Sequence, residues 1–443
     1  MFTKKQIWAL LIPLMMEQVL GALMGSMDTM MVSNVGSAAI SAVSLVDSVN
    51  VVAVLVFTAM ATGGTIVTSQ YVGANDQKAA INSAEQFLLT TFSIAIVSTT
   101  LVILFREPLL RLVFGQIEQD VMANALVYLF ITALSYPFLA LYNSCAALFR
   151  ASGNSRLPMI ISVTANIMNV IGNALTIFVF GMGVAGAALS TLLSRGFSAL
   201  VLLIYLRRPR QIIVVRDYLS IRPQWAMIKK IMSIGVPNGI ENAMFQVGKL
   251  AIQSTVSTLG TVAIAAQAMT SVLEVNISYM ALGIGLGMTT IVGQCVGAGR
   301  PDEAKKYVKL LSFYGEVSIL ICSVLIALAV KPITVIAGME PEVAELTIKL
   351  TYLICAVKSV AWVVPFMPVN GMRAAGDVKY AMVVSGTVMW TCRVAVAVLC
   401  VRVLGLGLIG IWIGMFTDWF VRAIFMGHRF RSGKWLKKSI VSA

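Results

Sequence analysis

Residues 7–36 read IWALLIPLMMEQVLGALMGSMDTMMVSNVG, long and apolar enough to cross a bilayer, for which about 20 residues suffice. Two acids interrupt the stretch, Glu17 and Asp28. A carboxylate in hydrocarbon is costly unless it faces a cavity or a partner, so each marks a candidate functional position. They lie 11 residues apart, about three helical turns, which puts both on one helix face. Pro13, one turn before Glu17, removes a backbone donor and loosens the helix there.

The second half of the chain repeats this stretch as IMSIGVPNGIENAMFQVGKLAIQSTVSTLG at 231–260. Pro13 recurs as Pro237, Glu17 as Glu241 and Gly36 as Gly260, at one constant offset. Gly63, Gln70, Gly73 and Ala74 recur at that offset as Gly287, Gln294, Gly297 and Ala298. The turn RASGN at 150–154 recurs one residue short of it as RAAGD at 373–377. Nearly the whole chain in register means an internal duplication, as in many secondary transporters.

Composition agrees. The chain is 58% hydrophobic and 12% charged, with mean hydropathy +0.89, where a soluble domain carries about 25% charged residues. About twelve segments are long and apolar enough to span, near 7–34, 39–72, 85–105, 119–146, 157–180, 185–206, 229–258, 263–296, 307–330, 343–369, 378–401 and 407–428. Expected is an all-α membrane protein of twelve transmembrane helices in two pseudo-symmetric six-helix lobes. The lobes are residues 1–206 and 229–443, the second ending in a short basic tail, joined by a basic connection at 207–228. Of the 33 Lys and Arg, only Arg106, Arg111, Lys331 and Arg402 fall in the odd-numbered loops. That asymmetry places both termini in the cytoplasm. The net charge of +14 is therefore a topology signal, and no basic stripe points to nucleic acid. The six cysteines are scattered without metal-binding spacing and read as free thiols. The tail RFRSGKWLKK at 429–438 is expected against anionic headgroups.

Other residues carry chemistry or packing. Asp47 sits near the outer mouth of the second span, and Glu274 lies deeper in the eighth. The Gly63-Gly64 pair reads first as a close helix contact. REPLLRLVFG at 106–115 reads as an amphipathic interfacial segment, with KPITVIAGMEPE at 331–342 as its mate. Asn166, Asn169 and Asn173 line one face of the fifth span, as interhelical bonding or as cavity lining. Asp418 and Arg422 have the spacing of an ion pair within a helix. Lys249 stands where the first copy has Gly25 and is expected to pair with Glu274 or Glu241. If it faces a cavity unpaired, an anionic or zwitterionic substrate follows. The arginines of the RASGN and RAAGD turns are placed near the headgroups.

Over essentially its full length the chain resembles the multidrug and toxic compound extrusion (MATE) transporters, bacterial type. The residues that carry the resemblance are VLGALMGSMDTMMVSNVG at 19–36, the doubled Gln-x-x-Gly-Ala turns at 70–74 and 294–298, RASGN and RAAGD, and NIMNVIGNALTIFVFGMGVAGAALST at 166–191. The resemblance implies two lobes around a central cavity, rocking alternating access, and export of cationic or amphipathic compounds in exchange for H⁺ or Na⁺. In the DinF-like branch, which it looks closest to, an acid on the first helix couples transport. Asp28 matches that acid, Asn169 and Thr191 match its network, and Asn173 stands where that branch has an Asp. The coupling ion expected at Asp28 is H⁺ or Na⁺, with no metal site otherwise and no cofactor. The NorM-like branch uses acids on the seventh and tenth spans, a pattern Glu241 and Glu274 do not reproduce. Glu17, Glu241, Glu274, Gln246 and Lys249 are the candidate substrate-cavity residues.

The physics of an antiporter fits such acids. Burial raises a carboxyl's pKa toward neutrality, so it can carry a proton in one state and attract a cation in the other. No P-loop, HExxH or GxSxG occurs, which speaks against an ATP-driven pump or an enzyme. The other reading is a flippase of lipid-linked precursors from the same superfamily, which favours a broad cationic cavity. A multi-pass protein of the cell membrane, acting as a monomer, is expected.

Overall fold

The computed structural model describes residues 1–33, 35–115, 118–209, 211–218 and 220–440, the side chains of 25–30, 32, 33 and 37 apart. Among the described residues there is no strand. The chain divides into two compact units, Phe2–Gly239 and Ile240–Ala443, the second taking in Met1.

The N-terminal unit contains α1 (Lys4–Ser33), α2 (Ser37–Gly73), α3 (Gln77–Leu104), α4 (Arg106–Phe114), α5 (Gln119–Leu134), α6 (Tyr136–Ala151), α7 (Arg156–Asn173) and α8 (Gly183–Leu206). Next comes α9 (Trp225–Ser257), followed by α10 (Thr261–Gly297), α11 (Pro301–Ile336), α12 (Pro341–Ala361), α13 (Val363–Ala374), α14 (Val378–Val388), α15 (Ala395–Arg402) and α16 (Gly407–Arg431). Among the described residues, nine spans are long and apolar enough to cross a membrane. Two more are bent pairs, α5 with α6 at 40° and α12 with α13 at 48°. Pro137 and Pro365 stand just past the two breaks, where a missing N–H and a ring clash stop the preceding ladder. The twelfth, α9, has 33 residues, about 50 Å of helix, and Asn238, Glu241, Asn242, Gln246 and Lys249 interrupt its apolar run.

The duplication is visible in the packing. Helix α2 packs on α3, α5 and α6, and α10 packs on α11, α12 and α13. Gly36 and Gly260, the same repeat position, lead into α2 and α10 with φ of +130° and +91°, a region in which a Cβ is strained. Gly63 is a packing glycine: a Cβ there would stand 2.7 Å from the Ile231 carbonyl oxygen and 3.0 Å from Gly235 N.

Several boundaries differ from the sequence reading, for local reasons. α3 starts earlier because Asp76 caps it, accepting from Ala79 N at 3.0 Å. α11 starts at Pro301, suited to a first helical turn, and carries Asp302 and Glu303 beside the positive end of its dipole. Segment 106–114 is a separate helix, α4, whereas its mate at 331–336 simply continues α11 through Pro332. The basic tail differs too. Its Trp435 is fully buried, stacked on Phe430 with centroids 5.6 Å apart, and donates to the Phe430 carbonyl at 3.2 Å. The tail lies on the RAAGD turn, where a Cβ on Gly376 would overlap the Lys438 carbonyl oxygen. Arg429 holds that turn through both oxygens of Asp377, at 2.7 and 3.1 Å.

Candidate functional site

In the N-terminal unit α7 and α8 approach so closely that a Cβ on Gly172 would overlap Ser190 Oγ. At this crossing Asn169 Nδ2 donates to Ser190 Oγ at 3.4 Å and to Thr191 Oγ1 at 3.3 Å. Ser190 Oγ donates to the Asn169 carbonyl at 2.8 Å, and Asn173 Nδ2 donates to Asn169 Oδ1 at 3.4 Å. The structure thus brings Asn169, Asn173 and Thr191 into one buried network. A cavity of about 200 Å³ adjoins it, lined among others by Tyr142, Asn166, Asn169, Thr191 and Arg195. Arg195 donates to Ser135 Oγ at 2.7 Å. Helix α1 packs along α7, but the Asp28 side chain lies outside the described residues. Directly after Asn173 the helix widens into a π-helical segment, Ala174–Val179. A second one, Met389–Val394, carries Arg393 in the C-terminal unit. Such bulges often mark functional positions, and neither leaves a periodicity that sequence reading could find.

Glu17 and Glu241 are each held by an arginine. Arg150 Nη2 donates to Glu17 Oε1 at 2.8 Å, with the Tyr142 hydroxyl on the same oxygen at 3.3 Å. Arg373 Nη2 donates to Glu241 Oε1 at 2.6 Å. The arginines of the RASGN and RAAGD turns therefore reach back to the first helix of their own half rather than to headgroups. A buried carboxylate with a guanidinium in reach gains more from that bond than the guanidinium gains in water. The signal was present in the sequence, since acid and arginine are both duplicated.

The pairing expected for Lys249 is replaced by another. Glu274 is bonded to Lys358, a side chain with 0% exposure whose Nζ also meets Ser278 Oγ and the Glu274 carbonyl. Glu241 is taken by Arg373, and Lys249 has no ion-pair partner among the described residues. Which acid a lysine meets depends on helix rotation and depth, and it is Lys358 on α12 that meets Glu274. Asp418 is fully buried and serves two arginines. Arg422 binds Oδ1 at 2.6 Å, and Arg393 Nε lies 3.2 Å from Oδ2.

Lys249, Glu274 and Arg393 line a cavity of about 390 Å³ within the C-terminal unit, together with Phe245, Trp362 and Trp419 among others. Gln246 is half-buried on α9 and is not among the lining residues. Among the described residues no group of three or more His, Cys, Asp or Glu could hold a metal ion.

The MatE family profile matches the chain twice, over residues 13–175 and 237–399. The chain belongs to the MatE family. Both matches begin on a repeated proline, Pro13 and Pro237, so each half is one MatE unit. A MatE relative from Thermotoga maritima, named a probable multidrug resistance protein NorM, is 29% identical over 99% of this chain and 94% of its own. The fold is that of solved MATE transporters. An outward-facing multidrug resistance MATE transporter superposes with TM-score 0.92 at 20% identity, over 98% of this chain and 97% of that one. A Pyrococcus furiosus transporter of the MOP superfamily superposes with TM-score 0.88 at 20% identity, over 98% and 97%. Its reversed pocket polarity is described as suggesting a different function. The protein is thus a multi-pass membrane protein of a multidrug efflux transporter family, with twelve helices in two six-helix halves.

Proposed function

We propose that this MatE protein is a secondary antiporter of the cell membrane, with both termini cytoplasmic, that exports amphipathic organic compounds in exchange for H⁺ or Na⁺ by rocking alternating access. One observation carries the coupling site: the Asn169–Asn173–Thr191 network joins α8 to α7, the helix along which the Asp28-bearing α1 packs. Amide and hydroxyl groups around a carboxylate can exchange a proton or a desolvated Na⁺ without a second charge. With Asn173 neutral, Asp28 is the titrating group of the set.

Glu17 and Glu241, both committed to arginines, we assign to holding each half together. Lys249 and Glu274 stay in the substrate path. Cationic cargo is the default that the resemblance implies. The basic lining of the C-terminal cavity is also what favours the second reading, a flippase for lipid-linked anions.

The test uses inside-out vesicles with an acidic interior, to which dyes of either charge are added with and without Na⁺. Wild-type collapse of the pH gradient that Asp28→Asn abolishes supports proton coupling through Asp28. A response to Na⁺ alone keeps the antiporter and changes the ion. Full activity of Asp28→Asn at normal expression refutes the coupling assignment.

A further inference from the structure

The cavity of the C-terminal unit is surrounded by more cations than anions. Among the described residues, Lys249, Lys358, Arg393 and Arg422 stand at or behind its wall, against Glu274 and Asp418. Both acids are already committed, Glu274 to Lys358 and Asp418 to two arginines. A cationic guest would therefore find no uncommitted carboxylate. Lys249 is exposed and without an ion-pair partner among the described residues. A cation in a membrane helix is retained where it faces a water-filled cavity or a ligand.

The aromatic walls point the same way. Ring faces usually attract cations, but here the unit's own cations cover them. Arg422 and Arg393 lie over Phe245 at 4.9 and 5.9 Å, and Lys358 lies over Trp362 and Trp419 at 5.4 and 5.9 Å. The rings remain available for flat apolar contact but not for a guest's positive charge.

The duplication supplies an independent comparison. In the first copy the positions of Lys249 and Ile252 hold Gly25 and Asp28. Both Lys249 and Ile252 line the cavity. On this wall the second copy has a base and no acid where the first copy has an acid and no base at the matching positions.

We propose that the C-terminal cavity binds organic anions with a flat aromatic body, their carboxylate or phosphate held by Lys249 and Arg393. This rests on the reading of the protein as an exporter and names the charge of its cargo. At about 390 Å³ the cavity falls within the range of about 300–1,000 Å³ that suits a small-molecule ligand.

The test compares 1-pyrenebutyrate with 1-pyrenylmethylammonium, one ring system with opposite charges, on the full-length protein in detergent. Energy transfer from the cavity tryptophans reads binding. Wild type should bind the anion at least about tenfold tighter than the cation, or ~1.4 kcal/mol. Lys249→Met should remove most of that difference, and Lys249→Glu should reverse it. Lys249 lines the cavity and not the packed core, and thermal melting of both variants in detergent checks that they fold. Equal or tighter binding of the cation by wild type, or anion binding unmoved in both Lys249 variants, would overturn the proposal. Displacement of pyrenebutyrate by a polyprenyl phosphate, dependent on Lys249, supports a lipid-linked source for the anion. Displacement by a soluble aromatic phosphate alone supports a free one. Transport in proteoliposomes is scored separately. Anion binding through Lys249 without flux of either dye under H⁺ or Na⁺ gradients sinks the exporter reading and leaves the site standing.

Discussion

Cutting the Arg373 guanidinium away from Glu241 should destabilise the C-terminal unit markedly, while removing both partners should not. The Glu241 side chain is 5% exposed and Arg373 19% exposed, with a 2.6 Å contact between Nη2 and Oε1. In Arg373→Met a carboxylate is left almost fully buried with no cation, a change that typically costs about 3–5 kcal/mol. At roughly 2–4 °C per kcal/mol for a unit of this size, the melting temperature should fall on the order of 10 °C. The bond has one point of contact: Glu241 Oε2 and Arg373 Nε have no hydrogen-bond partner among the described residues. An imperfectly satisfied pair returns little beyond its own desolvation, so Glu241→Gln with Arg373→Met should lie within about 1 kcal/mol of wild type. Thermal unfolding of the purified protein in detergent, run as a double-mutant cycle, reads the coupling. If the double variant melts as low as Arg373→Met alone, or if Arg373→Met melts with wild type, the bond is not what steadies this half. The same cycle on Arg150 and Glu17 should give a smaller loss, because Tyr142 still donates to the stranded carboxylate and Glu17 is 10% exposed.

Gly63→Ala should lower folded yield and stability by about 1–3 kcal/mol, because its Cβ meets backbone, whereas Gly21→Ala, with nothing within 4 Å, should be neutral; detergent melting of both checks this. Asn169→Ala loses long hydrogen bonds of 3.3 to 3.4 Å to Ser190, Thr191 and Asn173, so stability should change by about 1 kcal/mol or less, while gradient-driven transport should fall on the order of tenfold, ~1.4 kcal/mol of coupling. Equal loss of stability and transport would make Asn169 structural. Trp435→Ala removes a fully buried ring worth about 3–5 kcal/mol and should make the tail sensitive to brief proteolysis before the helices are cut. Full protection would mean that the tail does not depend on the ring.

The fold was legible because its signals are local and doubled. Hydropathy marks the spans, basic residues mark one set of loops, and Pro13, Gly36 and Gln70 recur at a fixed spacing. The ion pair of Asp418 and Arg422 was legible too, since partners four apart on a helix meet by geometry. Partners on different helices were not. Nothing in the order of residues says that Lys358 on α12, rather than Lys249 on α9, reaches Glu274, or that Arg393 shares Asp418. Helix rotation decides these, and it is set by packing of the whole half. The arginines of the two turns were misplaced for a related reason: a long side chain beside a membrane surface can point out to phosphate or back to a carboxylate. The π-helical segments leave no mark, because a single extra residue in a turn does not disturb an apolar run. The tail's basic charge suggested a surface role and hid the part played by Trp435, which packs as a core residue does.

The two Glu–Arg bonds have a consequence for the history of the molecule. Both halves keep the same acid in the first helix and the same arginine in the same turn, so this bond belonged to the ancestral half before it was copied. Positions 25 and 28 tell a different story, since their counterparts at 249 and 252 are a lysine and an isoleucine. Two identical halves would have to carry the same charge at matched positions. Two copies on one chain need not, and this chain differs at 25 and 249 while the Glu–Arg bond is the same in both halves.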